Sequence, residues 1–211
     1  MQPSREEWFD ALAAKQGRGV QERLSRATVA VCGAGGLGSN IALCLARAGV
    51  GKLVITDFDK VDLTNLHRQQ YKACQIGQPK ARALVENLRE VAPYVEYESH
   101  VEKIDEENIL SIAKDADVVC EAFDNPVAKA MLVNAVLERM PEKYLVAASG
   151  MASMESSNSI KTRKVSGRFY LCGDFVSDVK DSDGLFPSRV MLCAAHQAHM
   201  VIRILSGKFE V

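Results

Sequence analysis

The sequence predicts an α/β fold: a mostly parallel sheet with an antiparallel C-terminal extension and an N-terminal helical arm. Short apolar segments alternate with helical segments between residues 28 and 149, the order expected of a parallel sheet with crossover helices. Gly33, Gly35 and Gly38 follow the first apolar segment at the spacing of a phosphate-binding turn. Beyond residue 150 the alternation stops, and two strand-like segments flank Ser166-Gly167, the pattern of a hairpin.

The N-terminal arm comprises residues 1–26. Ser4-Arg5-Glu6-Glu7 has the form of a capping box, so we expect a helix to begin there and to run to about Lys15. Gly17 and Gly19 are expected to break it, and a second short helix leads into the first strand. Because the arm precedes the sheet, we expect it to cover the core or to reach to a partner.

The chain is expected to form one domain over residues 1–211, with a nucleotide-binding core at 27–150 and a C-terminal extension at 151–211. Periodicity and flanking turn residues give the elements of both parts. The predicted core strands are 28–32, 53–57, 95–100, 118–123 and 145–149, with helices near 38–48, 79–91, 105–113 and from Pro126. The extension is predicted to hold strands at 159–164 and 168–172, a mobile acidic loop at 173–186 and a helix at 188–205 begun by Pro187.

The glycine turn Gly33-Ala34-Gly35-Gly36-Leu37-Gly38-Ser39 predicts an anion site. Glycines let backbone N–H groups approach a phosphate closely, and the following helix directs its positive dipole end to the same place. Asp57 lies about 20 residues on, where a Rossmann-like domain carries its ribose-binding carboxylate. The turn and the acid therefore indicate a Rossmann-like nucleotide site, with the nucleotide itself left open.

Further charged residues are expected on the same rim, because ligands bind at the carboxyl ends of parallel strands. Arg68, in the polar loop 60–70, is a candidate phosphate clamp or an ordinary surface charge. Lys80 in a first helical turn opposes the helix dipole unless a phosphate or carboxylate compensates it. Asp124 follows a buried strand, where it either caps the next helix or holds Mg²⁺ against a triphosphate.

Composition excludes several classes of function. The net charge of −1 and the dispersed basic residues give no footprint for nucleic acid or an anionic membrane. A charged N-terminus and the lack of a long apolar stretch predict a cytoplasmic protein without a leader or membrane span.

The cysteines form no C-x-x-C pair, so no zinc site is expected from them. Cys32, Cys44, Cys120 and Cys193 lie in apolar segments and are expected to fill the core. The pair His196 and His199 could contact a metal, but no third ligand is evident.

With these positions in place, the chain from about Gln21 onward resembles the ThiF/MoeB/HesA family, relatives of the adenylation domain of ubiquitin-activating enzymes. The order and combination of its motifs carry the resemblance: Gly33-Ala34-Gly35-Gly36-Leu37-Gly38-Ser39-Asn40, Asp57-Phe58-Asp59, Asn65-Leu66-His67-Arg68-Gln69, Gly77-Gln78-Pro79-Lys80-Ala81 and Asp124-Asn125.

The resemblance implies ATP-dependent adenylylation of the C-terminal Gly-Gly carboxylate of a small ubiquitin-like sulfur-carrier protein, with release of pyrophosphate. It implies Arg68, Lys80 and Asp124 as catalytic residues, Asp124 as the Mg²⁺ ligand, and residues 151–211 as the carrier-binding part. The implied ATP-binding residues are Gly33, Gly35, Gly36, Leu37, Gly38, Asp57, Asp59, Asn65, Arg68, Gln69 and Lys80. Asp57 would take the ribose, and Asn65, Arg68, Gln69 and Lys80 would surround the phosphates.

Departures from the family pattern refine these expectations. The C-x-x-C zinc motifs of many relatives are absent, so we expect no structural zinc. This compact form is most similar to the shorter ThiF-type proteins of thiamine biosynthesis, a resemblance that implies a ThiS-like carrier. Arg5 and Arg18 are candidates for an arginine that reaches across a homodimer into the partner's site. Cys172, just before the acidic loop, is the candidate for a covalent bond to the carrier, against the alternative of a core cysteine.

Two other functions stay open. The glycine turn and Asp57 alone equally favour an NAD(P)-dependent oxidoreductase, and a catalytically silent nucleotide-binding scaffold is a third reading. The discriminating residues are Arg68, Lys80 and Asp124, since two cations and a metal-binding acid suit a triphosphate that loses pyrophosphate. Hydride transfer needs none of that set.

Overall fold

The structure of the protein is a computed structural model, which describes residues 2–181 and 183–211. Its strands are β1 Thr28–Cys32, β2 Lys52–Thr56, β3 Glu96–His100, β4 Val118–Glu121, β5 Tyr144–Ala148, β6 Lys161–Ser166 and β7 Phe169–Gly173. Its helices are α1 Arg5–Gln16, α2 Arg18–Leu24, α3 Gly36–Arg47, α4 Lys80–Val91, α5 Asn108–Ile112, α6 Pro126–Arg139 and α7 Pro187–Leu205. Single 3₁₀ turns lie at Leu63–Asn65, Ala73–Gln75, Ser157–Ser159 and Val179–Asp181.

The seven strands form one sheet in the order β3-β2-β1-β4-β5-β7-β6. All neighbours are parallel except β6 and β7, so the predicted antiparallel extension is confirmed, with β7 parallel to β5 and β6 on the edge. The order of the first five strands reverses at β1, between β2 and β4. In a parallel sheet such a reversal opens a crevice at the carboxyl ends of the strands, where ligands bind.

Helices cover both faces of the sheet. Along β1, Val29 and Val31 pack into one core cluster with α3, α4 and α7, while Ala30 and Cys32 pack into a second cluster with α5 and α6. Burial on both faces explains why the central strands are apolar at several consecutive positions rather than at alternate ones.

The N-terminal arm contains two helices, as predicted. Ser4 and Glu7 form the capping box, and Gly17, with φ +90°, ends α1. The prediction that Gly19 breaks the helix is wrong, because Gly19 is an exposed residue inside helix α2, where a glycine costs about 1 kcal/mol. No helix among the described residues is long and apolar enough to span a bilayer.

The acidic segment after β7 begins with an anchored residue. The Asp174 carboxylate lies 2.5 Å from an Arg189 guanidinium nitrogen, and both side chains are buried. A Cβ on Gly150 would lie 2.0 Å from Asp174 Oδ1, so that position accepts only glycine beside the ion pair. The prediction of a mobile acidic loop therefore does not extend to Asp174.

Candidate functional site

The glycine turn connects β1 to α3 and packs against its neighbours at two glycines. Gly33 has φ +101°, and a Cβ there would lie 2.8 Å from the Ala122 carbonyl oxygen. A Cβ on Gly38 would lie 1.8 Å from the Gly33 carbonyl oxygen. Larger residues cannot occupy either position without moving backbone, so these two glycines shape the turn.

Gly35 differs from them because no neighbouring atom would crowd a side chain at its position. A Cβ there would meet only Gln69 Nε2, at 3.8 Å, and Gly35 precedes α3 without a side-chain cap. The first turn of α3 contains no acidic residue, and its N–H groups have no intrahelical acceptors by geometry. A phosphate can therefore approach the helix start closely at Gly35.

Asp57 follows β2 and holds the glycine turn in place. Its Oδ2 accepts a 2.7 Å hydrogen bond from the Ala34 amide, and its Oδ1 accepts one of 2.7 Å from the Asp59 amide. Burial raises the pKa of Asp57, while these two amides and the charge of Lys80 oppose the rise. Because each carboxylate oxygen can accept more than one hydrogen bond, Asp57 retains capacity for a ribose hydroxyl.

The loop after β2 is tied to α3 by three side chains that sequence analysis missed. Asn40 Nδ2 donates to the Arg68 carbonyl at 3.0 Å, and Gln70 Nε2 donates to Asn40 Oδ1 at 2.7 Å. The Tyr71 hydroxyl donates to the Ala34 carbonyl at 2.6 Å. The available signal was Asn40 itself, a polar residue in a helix that is apolar apart from Ser39 and Arg47. These bonds set the loop, with Arg68 and Gln69, beside the glycine turn.

Arg68 is half-buried and lacks a counter-ion. Its Nη1 donates to the Thr64 carbonyl at 3.1 Å, and no carboxylate of the described residues lies within ion-pair distance of it. Burial lowers the pKa of Arg68, and the charge of Asp124 opposes that effect. Arg68 and Asp124 are thus close enough to interact electrostatically, and the guanidinium remains available to an anionic ligand.

Gln69 carries an orphaned polar atom beside the turn. The residue is 7% exposed, and its Oε1 is buried without a hydrogen-bond partner among the described residues. An unpaired buried amide oxygen costs about 1–3 kcal/mol, so it indicates a missing donor. Its neighbour Gly35 is the open position of the turn.

Lys80 has a protein partner. Its Nζ lies 2.8 Å from Asp59 Oδ2, and its amide donates to the Asp59 carbonyl at 2.9 Å. The lysine is buried whereas Asp59 is half exposed. The predicted conflict with the dipole of α4 is therefore resolved by a carboxylate, and any ligand phosphate shares Lys80 with Asp59.

Asp124 does not cap a helix, so that alternative for its role is wrong. Asn125 is the N-cap of α6, and its Oδ1 accepts from the Val127 and Ala128 amides at 2.9 and 3.1 Å. Asp124 is exposed on the rim where β1, β2 and β4 end, since Cys32 is in register with both Thr56 and Glu121. Its carboxylate suits Mg²⁺, which binds one or two protein carboxylates together with substrate phosphates.

Cys172 is the clearest mismatch between expectation and structure. It is fully buried, with Sγ 3.5 Å from Thr162 Oγ1, and burial raises its pKa to about 11. A nucleophile needs an exposed thiolate, so the core alternative holds and a bond from Cys172 to a carrier is not supported.

Other candidates also lie away from the rim. Arg5 stacks over Tyr94, and Arg18 pairs with Asp10, both in contacts of the arm. Cys44 is exposed on α3, so its predicted core role is wrong, whereas Cys32, Cys120 and Cys193 are buried as predicted.

His196 accepts or donates a 3.1 Å hydrogen bond with Thr162, and the described residues contain no cluster of three metal-binding side chains. Neither observation supports metal binding by His196 and His199. The arrangement that remains is a glycine turn with a cation, an acid and an orphaned amide around it.

The sheet order and the glycine turn define the class of the protein. It is a Rossmann-like α/β protein whose candidate nucleotide site lies at the carboxyl ends of the parallel strands. The ThiF family profile matches residues 9–211, and the chain belongs to the ThiF family. The resemblance stated from its motifs is thereby confirmed over a longer segment, which includes most of the arm.

Curated relatives match parts of the chain. It is 42% identical over 117 residues to the adenylyltransferase and sulfurtransferase MOCS3 of Caenorhabditis briggsae, which covers 55% of this chain and 29% of that protein. It is 42% identical over 106 residues to the sulfur carrier protein adenylyltransferase of Thermus thermophilus, which covers 50% and 39%. The chain thus spans well under half the length of these relatives.

Solved structures share the fold. The Escherichia coli tRNA N6-threonylcarbamoyladenosine dehydratase TcdA in complex with ATP superposes with a TM-score of 0.86 at 19% identity, over 98% of each chain. E. coli MccB with ATP superposes with a TM-score of 0.71 at 19% identity, over 94% of this chain and 61% of that one. At these identities the likeness concerns the fold.

Proposed function

We propose that the protein is an adenylyltransferase that uses ATP to activate the C-terminal Gly-Gly carboxylate of a small ubiquitin-like sulfur-carrier protein. One observation carries the proposal: an open glycine turn lies on the same rim as Arg68, which forms no ion pair with the described residues, and as the exposed Asp124, which caps no helix. Family membership and the names of the T. thermophilus and C. briggsae relatives support it.

In the proposed complex the glycine turn holds the ATP phosphates. The first-turn N–H groups of α3 donate to phosphate oxygens at Gly35, and Asp57 accepts from the ribose. Gln69, whose amide oxygen lacks a donor, and Asn65 complete the surroundings of the nucleotide. The orphaned amide and the open Gly35 are features that a bound nucleotide would satisfy.

The chemical step is attack of the carrier's carboxylate on the α-phosphate. A new oxygen–phosphorus bond forms to the carboxylate, the bond to the β-phosphate oxygen breaks, and pyrophosphate leaves with the electron pair. The carboxylate is already ionised at neutral pH, so no general base is required. The protein's contribution is alignment and charge stabilisation, which Arg68 and the shared Lys80 provide.

We propose that Asp124 holds Mg²⁺ against the triphosphate. An exposed carboxylate that accepts no hydrogen bond from the part of the chain that the structure describes fits a hard cation that takes its remaining ligands from phosphates and water. When bound, the ion supplies charge neutralisation for the triphosphate.

The finer identity of the partner is also a proposal. We propose a ThiS-like carrier of thiamine biosynthesis, because the chain lacks the C-x-x-C pairs of many relatives, and we propose a homodimer. TcdA and MccB are named for other substrates, tRNA N6-threonylcarbamoyladenosine and the MccA peptide, so carriers and other carboxylates belong in the same assay.

ATP–pyrophosphate exchange with Mg²⁺ tests the proposal. We expect exchange that depends on a Gly-Gly-ended carrier and that disappears when the last glycine is removed. Exchange with none of the candidate carriers would contradict the proposal, and binding of NAD(H) in preference to ATP would favour the oxidoreductase alternative. ATP binding without exchange would favour a silent scaffold.

A further inference from the structure

A buried ion pair joins two residues that flank Asp124 in the sequence. Glu121, the last residue of β4, has a side chain that is 1% exposed, and Lys129 Nζ lies 2.9 Å from both of its carboxylate oxygens. Lys129 is on α6, and its side chain is 22% exposed. The pair therefore joins the end of a central strand to the helix that follows Asp124.

The same two side chains hold the backbone between them. Lys129 Nζ donates to the Phe123 carbonyl at 2.8 Å, and the Phe123 amide donates to Glu121 Oε1 at 2.7 Å. Both peptide groups of Phe123 are thus bonded to the ion pair. The Phe123 carbonyl belongs to the peptide that enters Asp124, so this bond fixes the residue that we place at the metal.

The opposite side of this segment is blocked by the glycine turn. The Ala122 amide donates to the Cys32 carbonyl at 2.9 Å, and a Cβ on Gly33 would lie 2.8 Å from Ala122 O and 3.2 Å from Phe123 Cδ1. The turn leaves little room for movement on that side, and movement away from it would break the bonds to Glu121 and Lys129. The backbone that leads into Asp124 is therefore held from both sides.

A buried ion pair is an unexpected way to stabilise a core, since an apolar pair of similar volume is often as stable. Burial raises the pKa of Glu121, and Lys129 opposes the rise. The pair supplies directional bonds to the backbone, which an apolar pair cannot make. Those bonds account for its presence next to a residue that must be held in place.

We propose that Glu121 and Lys129 are positioning residues that hold Asp124 in its reactive place; this rests on the proposed function. Neither side chain contacts the substrate. Loss of the clamp should leave the nucleotide seat at Gly35 and Arg68 intact but should let Asp124 move. The effect should therefore be on the Mg²⁺ requirement and turnover rather than on ATP affinity.

Amide hydrogen exchange resolved by NMR tests the clamp without nucleotide or Mg²⁺. In Lys129→Met we expect the Phe123 amide, which donates to a Glu121 carboxylate no longer held by Lys129, to exchange about tenfold faster than in the unaltered protein. The matched control is Lys52→Met. Lys52 is 26% exposed and pairs with Glu96 and Glu98 of β3, the edge strand two strands away from β1. Unchanged exchange at Phe123 in folded Lys129→Met would overturn the proposal.

The second readout is the Mg²⁺ dependence of ATP–pyrophosphate exchange. We expect Lys129→Met to need about tenfold more Mg²⁺ for half-maximal rate, with the Kd for ATP measured without Mg²⁺ unchanged and with partial rescue by Lys129→Arg. A loss of ATP affinity equal to the loss of rate would overturn the positioning role.

If Lys129→Met does not fold, the double variant Glu121→Gln with Lys129→Met removes both charges and serves the same two readouts. Absence of carrier-dependent exchange in the unaltered protein would contradict the proposed function. The hydrogen-exchange result would still decide whether the clamp orders Asp124.

Discussion

Replacement of Gly35 by alanine should separate the nucleotide seat from the fold. A Cβ at Gly35 meets only Gln69 Nε2, at 3.8 Å, so alanine fits sterically, although the backbone angles φ −78° and ψ −148° lie outside the regions that alanine favours. We expect Gly35→Ala to lower the free energy of unfolding by about 1–3 kcal/mol, the cost of that backbone conformation. The added methyl group would occupy the space through which a phosphate approaches the start of α3.

The loss of ATP affinity follows from the bonds that the methyl group prevents. A hydrogen bond to a charged group contributes about 1.5–3 kcal/mol, so the loss of one N–H···phosphate bond should raise the Kd for ATP about 10- to 150-fold. Isothermal titration calorimetry without Mg²⁺ measures this change, and urea unfolding followed by circular dichroism measures stability.

Gly38→Ala is the contrasting variant. Its Cβ would lie 1.8 Å from the Gly33 carbonyl oxygen, so the helix and the turn would have to separate. We expect a loss of stability of about 3 kcal/mol or more, the upper range for overpacking. Unchanged ATP affinity in a fully folded Gly35→Ala protein would refute the assignment of this turn as the phosphate seat.

Three further variants and one labelling experiment test individual residues. Asp124→Ala should lower ATP–pyrophosphate exchange at least about 100-fold with unchanged Tm, and retained exchange would remove Asp124 from its metal role. Asn125→Ala should instead lower the free energy of unfolding in urea by about 0.5–2 kcal/mol, because it removes the cap of α6. Arg68→Ala should raise the Kd for ATP about 10- to 150-fold by calorimetry, and unchanged affinity would contradict a phosphate contact. Because its pKa is raised to about 11, Cys172 is a thiolate in only about one molecule in a thousand at pH 8. Iodoacetamide should therefore label exposed Cys74 and spare Cys172 in the native protein. Rapid capture of a carrier by Cys172 would contradict its core role.

The sequence predicted the fold well because its strongest signals are local. Strands buried on both faces are continuously apolar, and helices begin at proline or at a capping residue, so β1 was predicted at its observed bounds. Element ends were harder to place: α3 begins at Gly36 rather than Gly38, since glycines leave the first turn without a side-chain signal.

The candidate site was predicted in outline but not in its pairings. Lys80 was expected to need an anion, but its pairing with Asp59, 21 residues away, depends on how α4 meets the loop after β2. Asp124 was the only residue expected as a cap of α6, but the structure gives that task to its neighbour Asn125. Cys172 lies one residue before the end of β7, and the direction of its side chain depends on how β7 pairs with β5 and β6, a long-range feature that local pattern does not encode.

The central claim is that a carrier's carboxylate attacks the α-phosphate of ATP on this rim. It can be measured with a carrier whose C-terminal carboxylate carries isotopically labelled oxygen, incubated with the protein, ATP, Mg²⁺ and hydroxylamine. Hydroxylamine cleaves an acyl-adenylate at the acyl carbon, so we predict a carrier hydroxamate and AMP that contains one labelled oxygen. Unlabelled AMP without a hydroxamate would show that water, not the carrier, attacks ATP, and would contradict the claim.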